Sequence, residues 1–205
     1  MTTTDERAEQ RRRDIVDAAF KVFSSRGYHA AGIADIAAEL GIGHGTFYRY
    51  FENKRDILVH VVVEAAERLM SVMVEDDPHR TATLTDYRQQ TEHICTRLFT
   101  LFAEDRALTR LLFVEAIGAD PEMTAMLQRI YEAMAVGTEQ YLRNGVEKGF
   151  LRADLDTEIT AKALNGMIIA SGMSLLSAKD PIAERDRWIR AGIGVMFDGI
   201  RGERS

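Results

Sequence analysis

Residues 39–54 read ELGIGHGTFYRYFENK, with Gly41, Gly43 and Gly45 at alternate positions leading into Phe47, Tyr48, Tyr50 and Phe51. Such a run is either a loop that cradles a cofactor phosphate or a tight turn feeding a short helix. A dinucleotide fingerprint requires a buried strand before its glycines. Here the preceding GIADIAAEL puts Ile33, Ile36, Ala37 and Leu40 at i, i+3, i+4 and i+7, which is one face of a helix. The spacing departs from G-x-G-x-x-G, and no GK[ST] follows for a nucleotide triphosphate. The stretch therefore reads as an amphipathic helix, a turn at Gly41 with Ile42 as its apolar plug, and a second short helix from about His44 to Tyr50. This is the helix-turn-helix arrangement, in which the first helix braces the second across a DNA major groove.

On the second helix, Phe47 and Phe51 lie one turn apart and face inward. His44, Thr46, Tyr48 and Arg49 then point outward, with Tyr50 beside them. An imidazole, a hydroxyl, a phenol and a guanidinium are groups that reach phosphate oxygens and base edges. Gly43 and Gly45 leave the start of the helix bare, so its N–H groups can approach a phosphate. A small helical core would account for Phe47 and Phe51 but would leave Tyr48 and Tyr50 without a task.

Working outward, prolines occur only at 78, 121 and 181, and no alternating strand pattern is present. Asp120-Pro121 and Asp180-Pro181 place a capping residue before a proline at the first helical position. Asn53 can cap a helix whose third residue is Asp56. Helices are expected to begin near 54, 121 and 182, about nine in all, with three short ones at the front. The class is all-α: a three-helix head at 1–53 with an N-terminal arm, then a larger helical bundle at 54–205.

The 205 residues are 46% hydrophobic and 28% charged, as in ordinary globular chains. Residues 1–56 hold nine Lys or Arg and nine Asp or Glu, whereas residues 57–205 hold seventeen against twenty-three. The body thus carries the whole formal charge of −6, and the relatively basic end, with Arg11, Arg12 and Arg13 in a row, can still bind nucleic acid. The longest apolar runs, such as ILVHVVV, are only a few residues, so no membrane span is expected. The polar start predicts no secretory signal and a cytoplasmic location. Cys95, the single cysteine, has no redox or zinc partner spacing and reads as a thiol on a helix core face.

The segment RDIVDAAFKVFSSRGYHAAGIADIAAELGIGHGTFYRYFENKRDIL resembles the N-terminal domain of the tetracycline-repressor (TetR) family of transcriptional regulators over roughly residues 11–58, most specifically at GTFYRYFENK. The resemblance implies a homodimer with a DNA-binding head and a ligand-binding, dimerising body. It also implies that His44, Gly45, Thr46, Tyr48 and Tyr50 face DNA and that Lys54 meets a phosphate. Two positions depart from the family pattern. Gly32 stands where Ser or Thr is usual, losing a side-chain cap. Ala34 stands where a polar residue is frequent, so specificity shifts toward the second helix and the arginine arm.

In the body, Phe and Met recur at helical spacing, and soft side chains let a bundle adapt around a guest. Taken alone, such a stripe is ordinary core. With the resemblance, Leu98, Phe102, Phe113, Met126, Ile130 and Met134 become candidate pocket walls, and Tyr131 and Asn165 candidate polar contacts for a ligand head group. In LNGMIIASGMSLLSA the small residues Gly166, Ala170 and Ser174 recur every four positions. Together with Ile193 and Phe197 they are candidates for the dimer seam, since small residues let helices approach closely.

No HExxH, paired-carboxylate or GxSxG pattern occurs, so no catalytic or metal site and no cofactor is expected. The reading is a ligand-responsive regulator, a repressor, that binds an inverted-repeat operator in double-stranded DNA as a dimer. A small, mostly apolar effector releases it by displacing the long helix that starts at Lys54. The alternative is a helical lipid- or acyl-binding protein that does not bind DNA.

Overall fold

A computed structural model describes residues 4–74 and 76–200 and, among them, consists of helices joined by turns, with no strand. In chain order these are α1 (Thr4–Arg26), α2 (Ile33–Leu40), α3 (His44–Phe47), α4 (Lys54–Val74), α5 (Leu84–Glu104), α6 (Arg106–Arg110), α7 (Pro121–Glu147), α8 (Thr157–Ser177) and α9 (Pro181–Ile193). Two of them widen into single π-turns, α6 into Leu111–Glu115 and α9 into Gly194–Asp198.

The expected starts at 54, 121 and 182 fall at Lys54, Pro121 and Pro181. Their caps are formed as the sequence indicates. Asn53 Oδ1 accepts from the Asp56 N–H at 2.9 Å, Asp120 Oδ1 from the Met123 N–H at 2.7 Å, and Asp180 Oδ1 from the Ala183 N–H at 3.0 Å. A reciprocal box between Thr83 and Asp86 starts α5.

Two expectations need correction. The first helix is not short: nothing breaks the chain between Asp5 and Gly27, so α1 runs for 23 residues until Gly27 turns it at φ 85°. The expected arginine arm therefore lies inside α1. Residues 1–3 and the side chain of Met73 lie outside the described part. The absence of any helix able to span a bilayer also fails. Interleaved Ala, Gly, Ser and Thr keep α8 free enough of charge that, by length and composition, its 21 residues could cross one (mean hydropathy 1.3), and only 28% of that window is buried.

The described helices form two compact units. The first is Met1–Glu67 with Ala107–Leu127. Here α1 packs on α2 and on the π-turn after α6, and α2 packs on α3. Its core holds Ile15, Ala19, Phe23, Ile36, Phe47, Phe51, Ile57 and Leu58, all buried. The second is Arg68–Arg106 with Gln128–Ser205, built by packing α5 against α8 and α9. The first unit thus takes in more chain than residues 1–53.

Candidate nucleic-acid interface and ligand cavity

In the first unit α2 begins at Gly32, which has no side chain to cap it. Asp35 supplies the missing half: its Oδ2 accepts from the Gly32 N–H at 2.8 Å, and its Oδ1 receives Arg26 at 2.6 Å. The loss expected at Gly32 is thus partly offset from within α2. The helix ends in a left-handed Gly41 (φ 68°), whose N–H reaches Ala38 O while Ile42 N–H reaches Ala37 O at 2.9 Å. That pair of bonds fixes the turn and aims α3.

The second helix is shorter than expected, covering His44–Phe47 instead of extending to Tyr50. Beyond it the winding tightens, with Arg49 N–H bonding Thr46 O and Tyr50 N–H bonding Phe47 O, both three residues back. Phe47 and Phe51 are buried, as their spacing predicts, with ring centroids 5.8 Å apart. Outside lie Gly43, His44, Gly45, Tyr48 and Arg49, with Thr46 and Tyr50 half-buried beside them. Tyr48 is 55% exposed, and the Arg49 guanidinium stands 5.9 Å from the Tyr50 ring. A Cβ added at Gly43 or Gly45 would meet nothing within 4 Å, and neither has a positive φ. Neither the packing nor the backbone of this chain requires glycine there.

Two basic residues make contacts within the chain that the sequence did not indicate. The Lys54 ammonium donates to Tyr28 O at 2.8 Å and Ala31 O at 2.9 Å, and sits 4.5 Å from the Tyr28 ring centroid. In the free chain the ammonium is thus engaged by this chain's own carbonyls. Arg12 likewise turns inward, donating to Tyr50 O at 3.1 Å, meeting His60 Nε2 at 2.6 Å and stacking 4.6 Å above Phe51. Sequence reasoning missed both roles because they depend on backbone carbonyls and a ring that only the fold brings near.

None of the ligand residues named from the sequence is among the walls of the second unit's cavity. Leu98, Phe102 and Met134 are buried core, and Ile130 and Tyr131 are half-buried; Phe113 and Met126 belong to the first unit, buried and half-buried respectively. Asn165 is buried, with its Oδ1 accepting from the Thr138 hydroxyl at 3.0 Å; its Nδ2 finds no partner among the described residues. A cavity of about 100 Å³ opens instead between α5, α7, α8 and α9, with Cys95, Phe99, Thr138, Tyr141, Met167 and Trp188 among its walls. Ile193, placed in the dimer seam by the sequence, is buried and lines this cavity.

The cavity's polar residues turn their polar atoms into the protein. Thr91 Oγ1 donates to Tyr87 O at 2.8 Å, Thr138 to Asn165, and Tyr141 to Asp76 O at 2.5 Å. Trp188 is hydrogen-bonded to Glu184. Burial pushes the Cys95 thiol up to about 11, so it stays neutral at physiological pH. The walls are almost wholly apolar and suited to hydrocarbon.

The surface of the same unit carries an apolar stripe. On α8, Ile159, Ala163, Gly166, Ala170 and Met173 are exposed at helical spacing, and on α9 so are Ala191 and, in the π-turn, Val195. Ser174 is half-buried and donates to Glu184 at 2.7 Å. Phe197 packs on Tyr87 at 5.6 Å. Among the described residues no cluster of three or more His, Cys, Asp or Glu side chains comes together to hold a metal.

Residues 15–61 match the family of bacterial regulatory proteins called tetR. The chain is 26% identical over 154 residues to the fatty acid metabolism regulator protein of Bacillus subtilis, covering 75% of this chain and 77% of that protein. It is also 26% identical over 193 residues to the transcriptional regulator UidR of Escherichia coli K12, covering 94% of each. The crystal structure of FadR from Bacillus subtilis in complex with stearoyl-CoA superposes with a TM-score of 0.77 at 24% identity, covering 92% of this chain and 99% of that one. These relatives are transcriptional regulators and not enzymes.

Proposed function

Because the chain belongs to the tetR family of bacterial regulatory proteins, we propose that it is a ligand-responsive transcriptional repressor acting in the cytoplasm, binding an inverted-repeat operator as a dimer. The division of labour follows the sequence: residues 1–53 meet DNA, and residues 54–205 bind the effector and dimerise. The observation that carries this reading is the surface around α3. Two glycines to which an added Cβ would bring no clash lie beside exposed His44, Tyr48 and Arg49. Gly43 is the N-cap of α3, where glycine is readily accepted, but Gly45 lies inside the helix, where glycine costs about 1 kcal/mol relative to alanine, a cost offset where a sugar-phosphate backbone must come closer than a Cβ allows. Side chains at its border then read base edges.

The effector is a mostly apolar small molecule held in the apolar cavity of the second unit. The solved relative FadR binds stearoyl-CoA, and an acyl chain suits walls that are almost wholly apolar. For release, the effector must prefer the arrangement that does not fit DNA; a preference of about 1.4 kcal/mol shifts the equilibrium tenfold. α4 carries residues of both units, so its displacement is the route by which occupancy changes the spacing of two heads.

The test is selection of genomic DNA fragments by the purified protein, then titration of the enriched site with acyl compounds. Enrichment of a palindrome that acyl compounds release supports the reading. Enrichment of none would overturn it in favour of an acyl-binding protein without DNA function.

A further inference from the structure

The cavity between α5, α7, α8 and α9 is too small to be a complete site. At about 100 Å³ it lies below the roughly 300–1,000 Å³ of ordinary ligand pockets, and below the ~150 Å³ that admits one benzene. A second cavity of about 300 Å³ adjoins it, with Leu142, Phe150, Leu151, Leu155 and Thr160 among its walls. Three residues belong to both: Tyr87, Leu164 and Met196.

These three are not equally fixed. Tyr87 is buried, and its ring is held between Phe150 at 5.8 Å and Phe197 at 5.6 Å. Leu164 sits within the regular turns of α8. Met196 is half-buried, unbranched, and carried on the π-turn Gly194–Asp198 rather than on an α-helical ladder. A thioether with three rotatable bonds swings aside at little cost, and π-turns are frequent at functional sites. The turn is anchored beyond Met196, where Arg88 donates to both oxygens of Asp198 at 2.8 and 3.2 Å, so the side chain can move without releasing the backbone.

The charges differ between the two ends. The inner chamber has no charged wall residue. The outer one has a single charged residue, Arg152, whose pairing with Asp154 at 3.4 Å is exposed on both sides. Exposed pairs of this kind contribute about 0–1 kcal/mol, so an incoming anion can replace Asp154.

Resting on the effector reading above, we infer that the two cavities are one channel, partitioned by the Met196 side chain. It takes a straight hydrocarbon chain with its tail in the inner chamber and its anionic head at Arg152. Met196 is then the residue that reads chain length. Short chains, held at Arg152, fill only the outer chamber; longer ones must displace the thioether and thread both. A free carboxylate and a thioester bearing phosphates share this chemistry.

The test is direct calorimetric binding to the purified full chain, without DNA, using two homologous series: straight-chain carboxylates and their coenzyme A thioesters. Affinity should rise with length beyond what the outer chamber holds, and the tighter series identifies the source of the head group. Met196→Trp should weaken long chains at least tenfold more than short ones. Thr160→Phe, which narrows only the outer chamber where every anchored chain lies, should weaken short and long chains alike, so that a loss concentrated in long chains is specific to Met196. Arg152→Gln should weaken the anionic ligands about tenfold but not the uncharged methyl esters. Affinity that stops rising once the outer chamber is full, or an equal loss for all lengths in Met196→Trp, overturns the channel. Operator release by chains whose binding ignores these variants would do so while leaving the regulator reading intact; chains that bind as inferred with no operator found would do the reverse.

Discussion

The ammonium of Lys54, the first residue of α4, donates to the carbonyl of Tyr28 at 2.8 Å while sitting 4.5 Å from the centroid of the same residue's ring. With its second bond to Ala31 O, it ties the start of α4 to the turn between α1 and α2. A hydrogen bond from a charged donor contributes about 1.5–3 kcal/mol, and the cation–ring contact about 0.5–1 kcal/mol at such a half-exposed site. Lys54→Met, which keeps the stem and removes the charge, should lower unfolding stability by about 1–3 kcal/mol. It should leave the slope of log affinity against log salt unchanged. A slope reduced by about one with unaltered stability would instead place Lys54 on a phosphate.

Stability and DNA affinity should separate in the opposite sense at α3. Gly45→Ala removes a helix penalty of about 1 kcal/mol and adds a methyl group that meets nothing within 4 Å. The free protein should therefore melt at or above the wild-type temperature while operator affinity falls tenfold or more. Tyr48→Ala, at a side chain 55% exposed, should cost about 1–3 kcal/mol of specific binding with little effect on melting. Gly45→Ala protein that binds its operator normally would remove the close-approach argument.

These contrasts also mark what the sequence could reveal. Helix starts at Lys54, Pro121 and Pro181 were legible because a cap is local chemistry: Asn53, Asp120 and Asp180 each bond an N–H three residues on. The inward pair Phe47 and Phe51 was legible from spacing alone. The roles of Lys54 and Arg12 were not, since their acceptors Tyr28 O and Tyr50 O lie 26 and 38 residues away. Nor was the cavity. Periodicity identifies which residues avoid water, as Leu98 and Phe102 do, but a void is a failure of packing between helices and leaves no mark on any one of them. Ile193 and Phe197 illustrate the same limit: an apolar residue on the last helix serves a partner's surface or its own core equally well, and within the chain Ile193 is buried while Phe197 is half-buried against Tyr87.

The thiol of Cys95 gives a pH signature. Its folded value is raised from about 9 to about 11 by burial, with the nearby Glu92 carboxylate adding to it. A raised acid means that the folded chain holds a proton the unfolded chain releases, so the contribution to stability is complete below about pH 9 and is lost between about 9 and 11. Raised phenols such as Tyr87 and Tyr141 act in the same direction, so the comparison must be differential. Cys95→Ala should lose stability less steeply than the parent across that interval, by thermal melting in matched buffers. Parallel curves, or rapid alkylation of Cys95 at neutral pH, would contradict a half-buried thiol held neutral.

The exposed stripe on α8 and α9 bears on assembly. Ile159, Ala163, Gly166, Ala170 and Met173 form one apolar face, and Val195 is 50% exposed. An added Cβ at Gly166 would meet nothing within 4 Å, so its smallness serves no neighbour in the same chain. A largely unburied apolar helix of 21 residues is costly in water at about 25 cal/mol per Å² of apolar surface, and a second copy meeting it across a twofold axis would bury the same stripe on both chains. Small residues at that crossing let the two α8 helices approach to the short end of the 8–10 Å interaxial range. Gly166→Glu and Ala170→Glu should each shift the protein from dimer to monomer in sedimentation velocity, with helix content retained by circular dichroism, because both positions are exposed within the subunit. Operator affinity should fall with the dimer, since one head alone reads a single half-site. Ile193→Ala serves as the contrast. It enlarges the inner cavity and should lower thermal stability by about 2–5 kcal/mol without altering the sedimentation coefficient. If both glutamate variants remain dimeric, the seam lies elsewhere on the molecule, and the apolar stripe belongs to some other partner.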